Sequence, residues 1–215
     1  MSATQTSTPV GFALRLPESW LEFDIWRANR TGDLPRLLDA RIAADPALKP
    51  YRGALVKALR QAASEAERHG ALFCAAMSEL IEDAGMLAAT VMVFQTDATL
   101  DPADDTAEVI ASQLTSVAST EGAARWRRVD IVEIPAGRAV RLQGVEPVDF
   151  GGQSLDCVVM QTLVPVPDGP GVLNVVATSP QVELAEPMLD LFDAISATLT
   201  WSTTTSPGGN GVSRN

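Results

Sequence analysis

Histidine occurs once in this chain, at His69, and cysteine only twice, at Cys74 and Cys157. A zinc site built from thiolates and imidazoles therefore has too few ligands, and any Ser-His-Asp or Cys-His mechanism would have to run through His69. Two cysteines also exclude a disulfide-dense scaffold. Basic side chains are scarce: 16 Lys and Arg stand against 27 Asp and Glu, a net charge of −11. Such a chain repels phosphate backbones and anionic lipid, so neither nucleic acid nor a membrane surface is an expected partner. Lys49 and Lys57 are the only lysines, and with the many alanines they suggest a GC-rich bacterial coding bias. Phosphate loops are missing too. Gly151-Gly152 is not followed by the required Lys and Ser/Thr, and Gly208-Gly209 lies in the polar tail. The first nine residues carry no positive region, apolar run or cleavage site, so no secretory signal is read and the expected compartment is the cytoplasm.

What remains is an ordinary globular composition, 46% hydrophobic and 20% charged over 215 residues. That length suits one domain able to bury roughly 70% of its unfolded surface. A flexible start is expected over 1–9, a single folded domain over 10–201 and a disordered tail over 202–215, where Ser, Thr and Gly offer little apolar surface to offset ordering entropy. Charge is uneven. Residues 1–70 carry +2 and residues 71–215 carry −13, which places an acidic face on the C-terminal two thirds.

Hydrophobic periodicity gives the element order. Phe12, Leu14 and Leu16 alternate as a strand, Pro17 to Trp20 forms a turn, and Leu21 to Ile25 alternates again, a hairpin-like opening. Leu34, Leu37, Leu38 and Ile42 recur at helical spacing behind Asp33, a candidate N-cap, until Asp45-Pro46 interrupts. A longer helix over 51–69 has Leu55, Val56, Leu59, Ala62, Ala63 and Ala66 on one stripe, with Gly70 as its C-terminal cap. Strands follow over 71–78 and 85–95. A helix starting at Asp101-Pro102 runs to about Ser119, then come strands over 128–134, 137–143, 154–164 and 171–178. A final amphipathic helix spans 182–199, with Pro187 either kinking it or marking its first turn, and Trp201 closes an edge. No internal repeat interrupts this order. Runs of strands separated by helices in this order predict an α+β domain, a largely antiparallel sheet covered by amphipathic helices in an α/β/α sandwich.

Two segments resemble a known superfamily. The opening Gly11-Phe-Ala-Leu-Arg-Leu-Pro-Glu-Ser-Trp20 runs a short strand into a Pro-x-x-Trp turn. The close pairs Leu173-Asn-Val-Val-Ala-Thr-Ser179 with a helix ending Ile195-Ser-Ala-Thr-Leu-Thr-Trp201. Together these are similar to the PsbP-like α/β/α sandwich, which includes a photosystem II extrinsic subunit, a Ran-binding nuclear transport factor and actinobacterial proteins and lipoproteins of unknown role. The resemblance implies a non-catalytic binding or assembly module. Two features depart from it: the chain has no lipoprotein signal or cysteine, and its two-helix insertion after the opening strands is long for the group.

Each chemically suggestive residue has a plainer structural role beside it. His69 sits beside Gly70 in a last helical turn, where a cation favours the carbonyl end. Cys74 and Cys157 lie in apolar runs and read as small buried hydrophobes, with a redox or disulfide pair as the other reading. Asp97, Asp101, Asp104, Asp105 and Glu108 lack the spacing and central glycine of an EF-hand loop, and capping explains the middle three. No metal or other cofactor is expected. Paired carboxylates for glycoside hydrolysis stay open, since only the fold brings such partners together. Arg125-Trp126-Arg127-Arg128 is the one dense cationic run, and its contact is either a carboxylate of this chain or one on a partner. Of four tryptophans, Trp20 and Trp201 suit burial. Trp26 and Trp126, next to Arg27 and to Arg125 and Arg127, suit an interface.

The expectation is therefore a non-enzymatic protein-binding module of the assembly, adaptor or immunity type in the bacterial cytoplasm, with Trp26, Arg27, Arg125, Trp126, Arg127 and Arg128 as its binding residues. Its partner is another protein of unstated identity, and a homo-oligomer stays open. The alternative is a small-molecule or lipid-binding protein, or an enzyme, using a pocket between sheet and helices. Such a pocket, with converging polar groups, would separate the two. One stability expectation follows directly from the tail composition. Truncating 202–215 should leave the thermal midpoint within a few degrees of the full chain, measured by circular dichroism.

Overall fold

The structure is a computed structural model that describes residues 11–25, 32–81, 85–96, 106–118, 126–149, 154–167 and 171–202. The expectations for 1–9, for the tail beyond Ser202, for the turn at 82–84 and for a cap at Asp101 lie outside them.

The strands are β1 (Phe12–Ala13), β2 (Trp20–Glu22), β3 (Phe73–Ile81), β4 (Gly85–Thr96), β5 (Trp126–Ile134), β6 (Gly137–Asp149), β7 (Ser154–Pro165), β8 (Val172–Ser179) and β9 (Thr200–Trp201). The α-helices are α1 (Asp33–Ala44), α2 (Arg52–Arg68), α3 (Ala107–Ala118) and α4 (Ala185–Ser196), with 3-10 turns at Pro46–Tyr51 and Val182–Leu184. Seven strands form one sheet in the order β2-β3-β4-β8-β7-β6-β5, every neighbour antiparallel, and β1 pairs β9 in a separate ribbon. The α+β class and the helix-covered antiparallel sheet are as the sequence predicts.

Alternation along the strands sorts side chains to two faces. On β3, Phe73, Ala75 and Met77 enter one core while Cys74 and Ala76 enter another. The first core packs Val91, Val93, Val158, Leu173 and Val175 against Met188, Leu189, Phe192 and Ile195 of α4 and against Phe12 and Leu14 of the ribbon. The opposite face is covered in two parts. Leu34, Leu38, Leu55, Leu59, Ala63 and Ala66 of α1 and α2 lie over β3, and Ala107 and Ile110 of α3 lie over Val140 and Val172. Helices thus lie on both faces, and the stripes expected for α2 and α4 are the buried ones.

Several local details differ from the sequence reading. The opening is no hairpin: β1 pairs Thr200–Trp201 and β2 pairs β3. Pro17 accepts from the Trp20 amide at 3.1 Å in the turn between them, and the chain leaves that turn towards the other sheet. The N-cap of α1 is Gly32, at φ 68°, and Asp33 lies inside the first turn, 3.4 Å from Arg36. Asp45 instead caps the 3-10 turn by accepting from the Ala47 amide. Helix α3 begins later than expected, where Thr106 accepts from the Ile110 amide through its carbonyl and from the Val109 amide through its hydroxyl. Strand β6 runs six residues past Gln143, through Pro147. The described β5 pairing ends at Trp126–Val145, so the missing Pro147 N–H breaks no described β5 rung. Helix α4 starts at Ala185, putting Pro187 in its first turn, where the absent N–H costs nothing.

The expected cap at Gly70 holds. Gly70 adopts φ 67°, and the Ala71 amide donates to the Ala66 carbonyl at 2.8 Å, closing α2. Trp201 donates its indole N–H to the Ala136 carbonyl at 2.7 Å, fastening the ribbon to the β5–β6 turn. Arg52 and Asp39 join α2 to α1 through two bonds of 2.6 and 2.8 Å, and these hold the Asp39 carboxyl below the usual carboxylate range. Ser202 belongs to the ribbon, since its amide donates to the Gly11 carbonyl at 2.9 Å, so a neutral truncation starts at 203.

Phe192 is the largest α4 side chain in the core and is 1% exposed. Phe192→Ala should cost about 3–5 kcal/mol through lost transfer energy and the cavity left behind. Denaturant unfolding measures it, and an unmoved midpoint would remove α4 from the core.

Candidate functional site

A cleft lined by described residues joins polar groups from both layers. It is an open cleft of about 550 Å³ between α4 and the far strands, lined by Arg128, Arg141, Gln143 and Met160 from the sheet and by Glu186, Leu189, Asp190 and Asp193 from the helix. Strand alternation puts Arg128 of β5, Arg141 and Gln143 of β6 and Met160 of β7 on the α4 face. On α4, positions 186, 190 and 193 follow the i, i+4, i+7 pattern, one polar flank beside the apolar stripe that docks the helix.

Two ion pairs shape this cleft. Arg141 reaches from the sheet to Asp193 on the helix, and its Nη2 also lies 3.5 Å from the Ser196 hydroxyl. With its side chain 13% exposed, Arg141 is the cross-layer tie. Its Nε is buried, as is the Thr162 hydroxyl directly opposite it on β7, and neither has a hydrogen-bond partner among the described residues. Arg128 pairs with Asp130, two residues along the same strand face, at 2.6 Å. Glu186 and Asp190 are exposed and carry the negative side of the cleft.

The two described arginines of the cationic run do not share a face of the sheet. Arg127 and Arg128 occupy consecutive positions of β5 and so face opposite sides of the sheet. Arg127 donates from Nη2 and Nε to Glu146 at 2.7 and 3.1 Å on the face away from α4. For these two arginines the described contacts are carboxylates of the same chain. Trp126 begins β5 opposite Val145, while Trp26, Arg27 and Arg125 lie outside the described residues. Trp20 is buried and Trp201 half-buried.

The remaining chemically suggestive groups lie elsewhere. His69 is the C-cap residue of α2, mostly exposed, with Nε2 3.6 Å from Glu65. Glu108 pairs with Arg138 at 2.6 Å, and the other four acids of its cluster lie outside the described residues. No three His, Cys, Asp or Glu side chains among the described residues are grouped to hold a metal. Sequence reading passed over Arg141, Gln143, Glu186, Asp190 and Asp193. A signal was present: Arg141 and Gln143 break the alternation between Ala139 and Val145, and the acids of α4 recur at helical spacing.

No protein-family model and no curated protein matches the chain. Among solved structures, the crystal structure of LpqN, involved in cell envelope biogenesis of Mycobacterium tuberculosis, is similar at 10% identity. The match covers 93% of this chain and 87% of that chain with a TM-score of 0.46, a distant relation of fold. No helix among the described residues is long and apolar enough to cross a membrane.

Both thiols are free and buried. Burial pushes Cys74 up from 9.0 to about 12, and burial with the nearby Asp156 charge pushes Cys157 up to about 11. A raised thiol pKa favours the folded state below pH 9.0. That contribution is lost as pH rises through 9.0 towards the folded values, because the unfolded chain ionises first. Stability should therefore fall above pH 9.0, and a Cys74→Ala, Cys157→Ala chain should show a flatter decline, measured by urea unfolding across that range.

Proposed function

We propose that this chain is a non-catalytic protein-binding module and that the cleft beside α4 is its recognition surface. The observation that carries this reading is the composition of the lining. It presents carboxylates, guanidinium groups and an amide, with Met160 and Leu189 as its only apolar side chains and no thiol or imidazole. Acyl chains need a mostly apolar wall, so the lining argues against a lipid. Exposed Glu186 and Asp190, in a region already strongly acidic, suit a basic segment of a partner. This favours cationic partner groups over the acidic ones that a free arginine patch would attract. Two free buried thiols suit a reducing compartment such as the bacterial cytoplasm. The PsbP-like resemblance supports the same class of role. The residues that carry it, Gly11 to Trp20, Leu173 to Ser179 and Ile195 to Trp201, make the β1–β9 ribbon, a turn, most of β8 and a helix end, which leaves the binding groups to be read separately.

One observation favours a second reading, a small polar ligand in the same cleft. Its volume lies within the range of ligand pockets, and its polar groups converge from both layers. Photo-crosslinking in the native host separates the two readings. A photoreactive residue at Glu186 or Asp190 should capture the same protein, whereas one at the exposed Arg60 on α2 should not. Glu186→Lys with Asp190→Lys should weaken that association and flatten its salt dependence. Capture at Arg60 alone, or a small molecule retained by the purified chain in native mass spectrometry, would overturn the protein-partner reading.

A further inference from the structure

We infer that the cleft beside α4 takes a single arginine side chain of the partner protein, and that Gln143 is the residue that tells arginine from lysine. The assignment rests on that cleft being the recognition surface, and it names what the surface recognises. Both cations of the lining are already neutralised by this chain, Arg128 by Asp130 at 2.6 Å and Arg141 by Asp193. Three polar side chains are left over. Glu186, Asp190 and Gln143 have no hydrogen bond or ion pair among the described residues. The cleft therefore carries two uncompensated negative charges and one spare amide, a set that suits a cation with several N–H groups.

Placement separates the two basic side chains. Glu186 and Asp190 stand one turn apart on α4, a spacing that sets their Cβ atoms about 5–6 Å from each other. Gln143 belongs to the opposite wall. It lies directly between Arg128 of β5 and Met160 of β7, and the three make one row across the sheet. Acceptors spread over two walls suit a guanidinium, whose five N–H groups fan out from three nitrogens, better than an ammonium, whose three radiate from one. Guanidinium is also the more weakly hydrated cation, so entering a cleft between helix and sheet costs it less. Met160 and Leu189, the apolar residues of the lining, offer a seat for its methylene stem.

The same charges identify the source of that arginine. A net charge of −11 sets two copies of this chain against each other, so the side chain belongs to a different, basic protein. Arginine in a desolvated pocket is a frequent hot spot, and one such anchor can dominate the affinity of the segment around it.

The test is an NMR titration of the isotope-labelled full chain with capped peptides that are otherwise uncharged and differ at one position. That position holds arginine, lysine or citrulline, which keeps the shape of arginine without its charge. The arginine peptide should shift the Gln143 side-chain amide and the Glu186 and Asp190 backbone amides, and the shifts should saturate. It should bind about tenfold more tightly than the lysine peptide, and the citrulline peptide should not bind. Gln143→Leu should bring arginine down to lysine and leave lysine unchanged, while Glu186→Gln with Asp190→Asn should abolish both. Equal affinity of the wild type for arginine and lysine, binding of citrulline, no saturable shift in the cleft, or an arginine preference that survives Gln143→Leu would overturn the proposal. The wild-type titration alone decides it if a variant fails to fold. Crosslinking that captures a protein while arginine and lysine bind equally would sink only the arginine anchor. Arginine preference in a chain that captures no protein would sink only the protein-partner reading.

Discussion

Everything else in this protein follows from a sheet whose central strands are apolar on both faces. Val91, Val93, Val175 and Leu173 face α4, while Cys74, Ala76 and Val172 face the other helices, and all are buried. Seven strands with six spacings of about 4.8 Å make a surface about 29 Å wide. A helix is about 10 Å wide, so one helix cannot cover either face. On one side α1, α2 and α3 share the task. On the other, α4 and the β1–β9 ribbon cover the middle and leave the region of β5 and β6 open beside the helix. Polar side chains occupy that uncovered margin because water still reaches it, and the cleft is the result.

The charge pattern fits the same geometry. Arg127, Arg128, Arg138 and Arg141 are the described basic residues of the C-terminal two thirds, and each pairs with a carboxylate of the chain. These pairs leave many acids over, including Glu186 and Asp190 on the cleft wall. Exposed pairs such as Arg128–Asp130 contribute little to stability and act mainly by setting local charge. The more buried Arg141–Asp193 pair differs in that it connects the sheet to α4.

How much of this was legible in the sequence depends on the range of the interaction. Period-two runs in β3 to β8 and the 3.6-residue stripes of α2 and α4 are local signals, and they gave the class and the element order. Gly70 was readable for the same reason, since its left-handed backbone is needed within one turn of α2. Pairing partners were not readable. Phe12 meets Trp201 across almost the whole chain, and nothing in Gly11 to Leu16 names that strand. The cleft was hidden by the same distance: Arg141 and Asp193 are 52 positions apart and meet only because α4 returns across β6. Arg127 and Arg128 look like one patch in a linear sequence. A strand separates them, and only the assignment of β5 from Trp126 reveals it.

The central claim is that α4 is a fixed wall, docked by Met188, Leu189, Phe192 and Ile195, so that the cleft exists before any partner arrives. Native-state hydrogen exchange measured by NMR at increasing, sub-denaturing urea tests this most directly. The α4 backbone amides from Leu189 to Ser196 should exchange through the same global opening as those of β7 and β8, with a common free energy and a common urea dependence. Exchange of α4 through a separate, smaller opening that leaves the sheet protected would contradict it, because the wall of the proposed recognition surface would then be mobile.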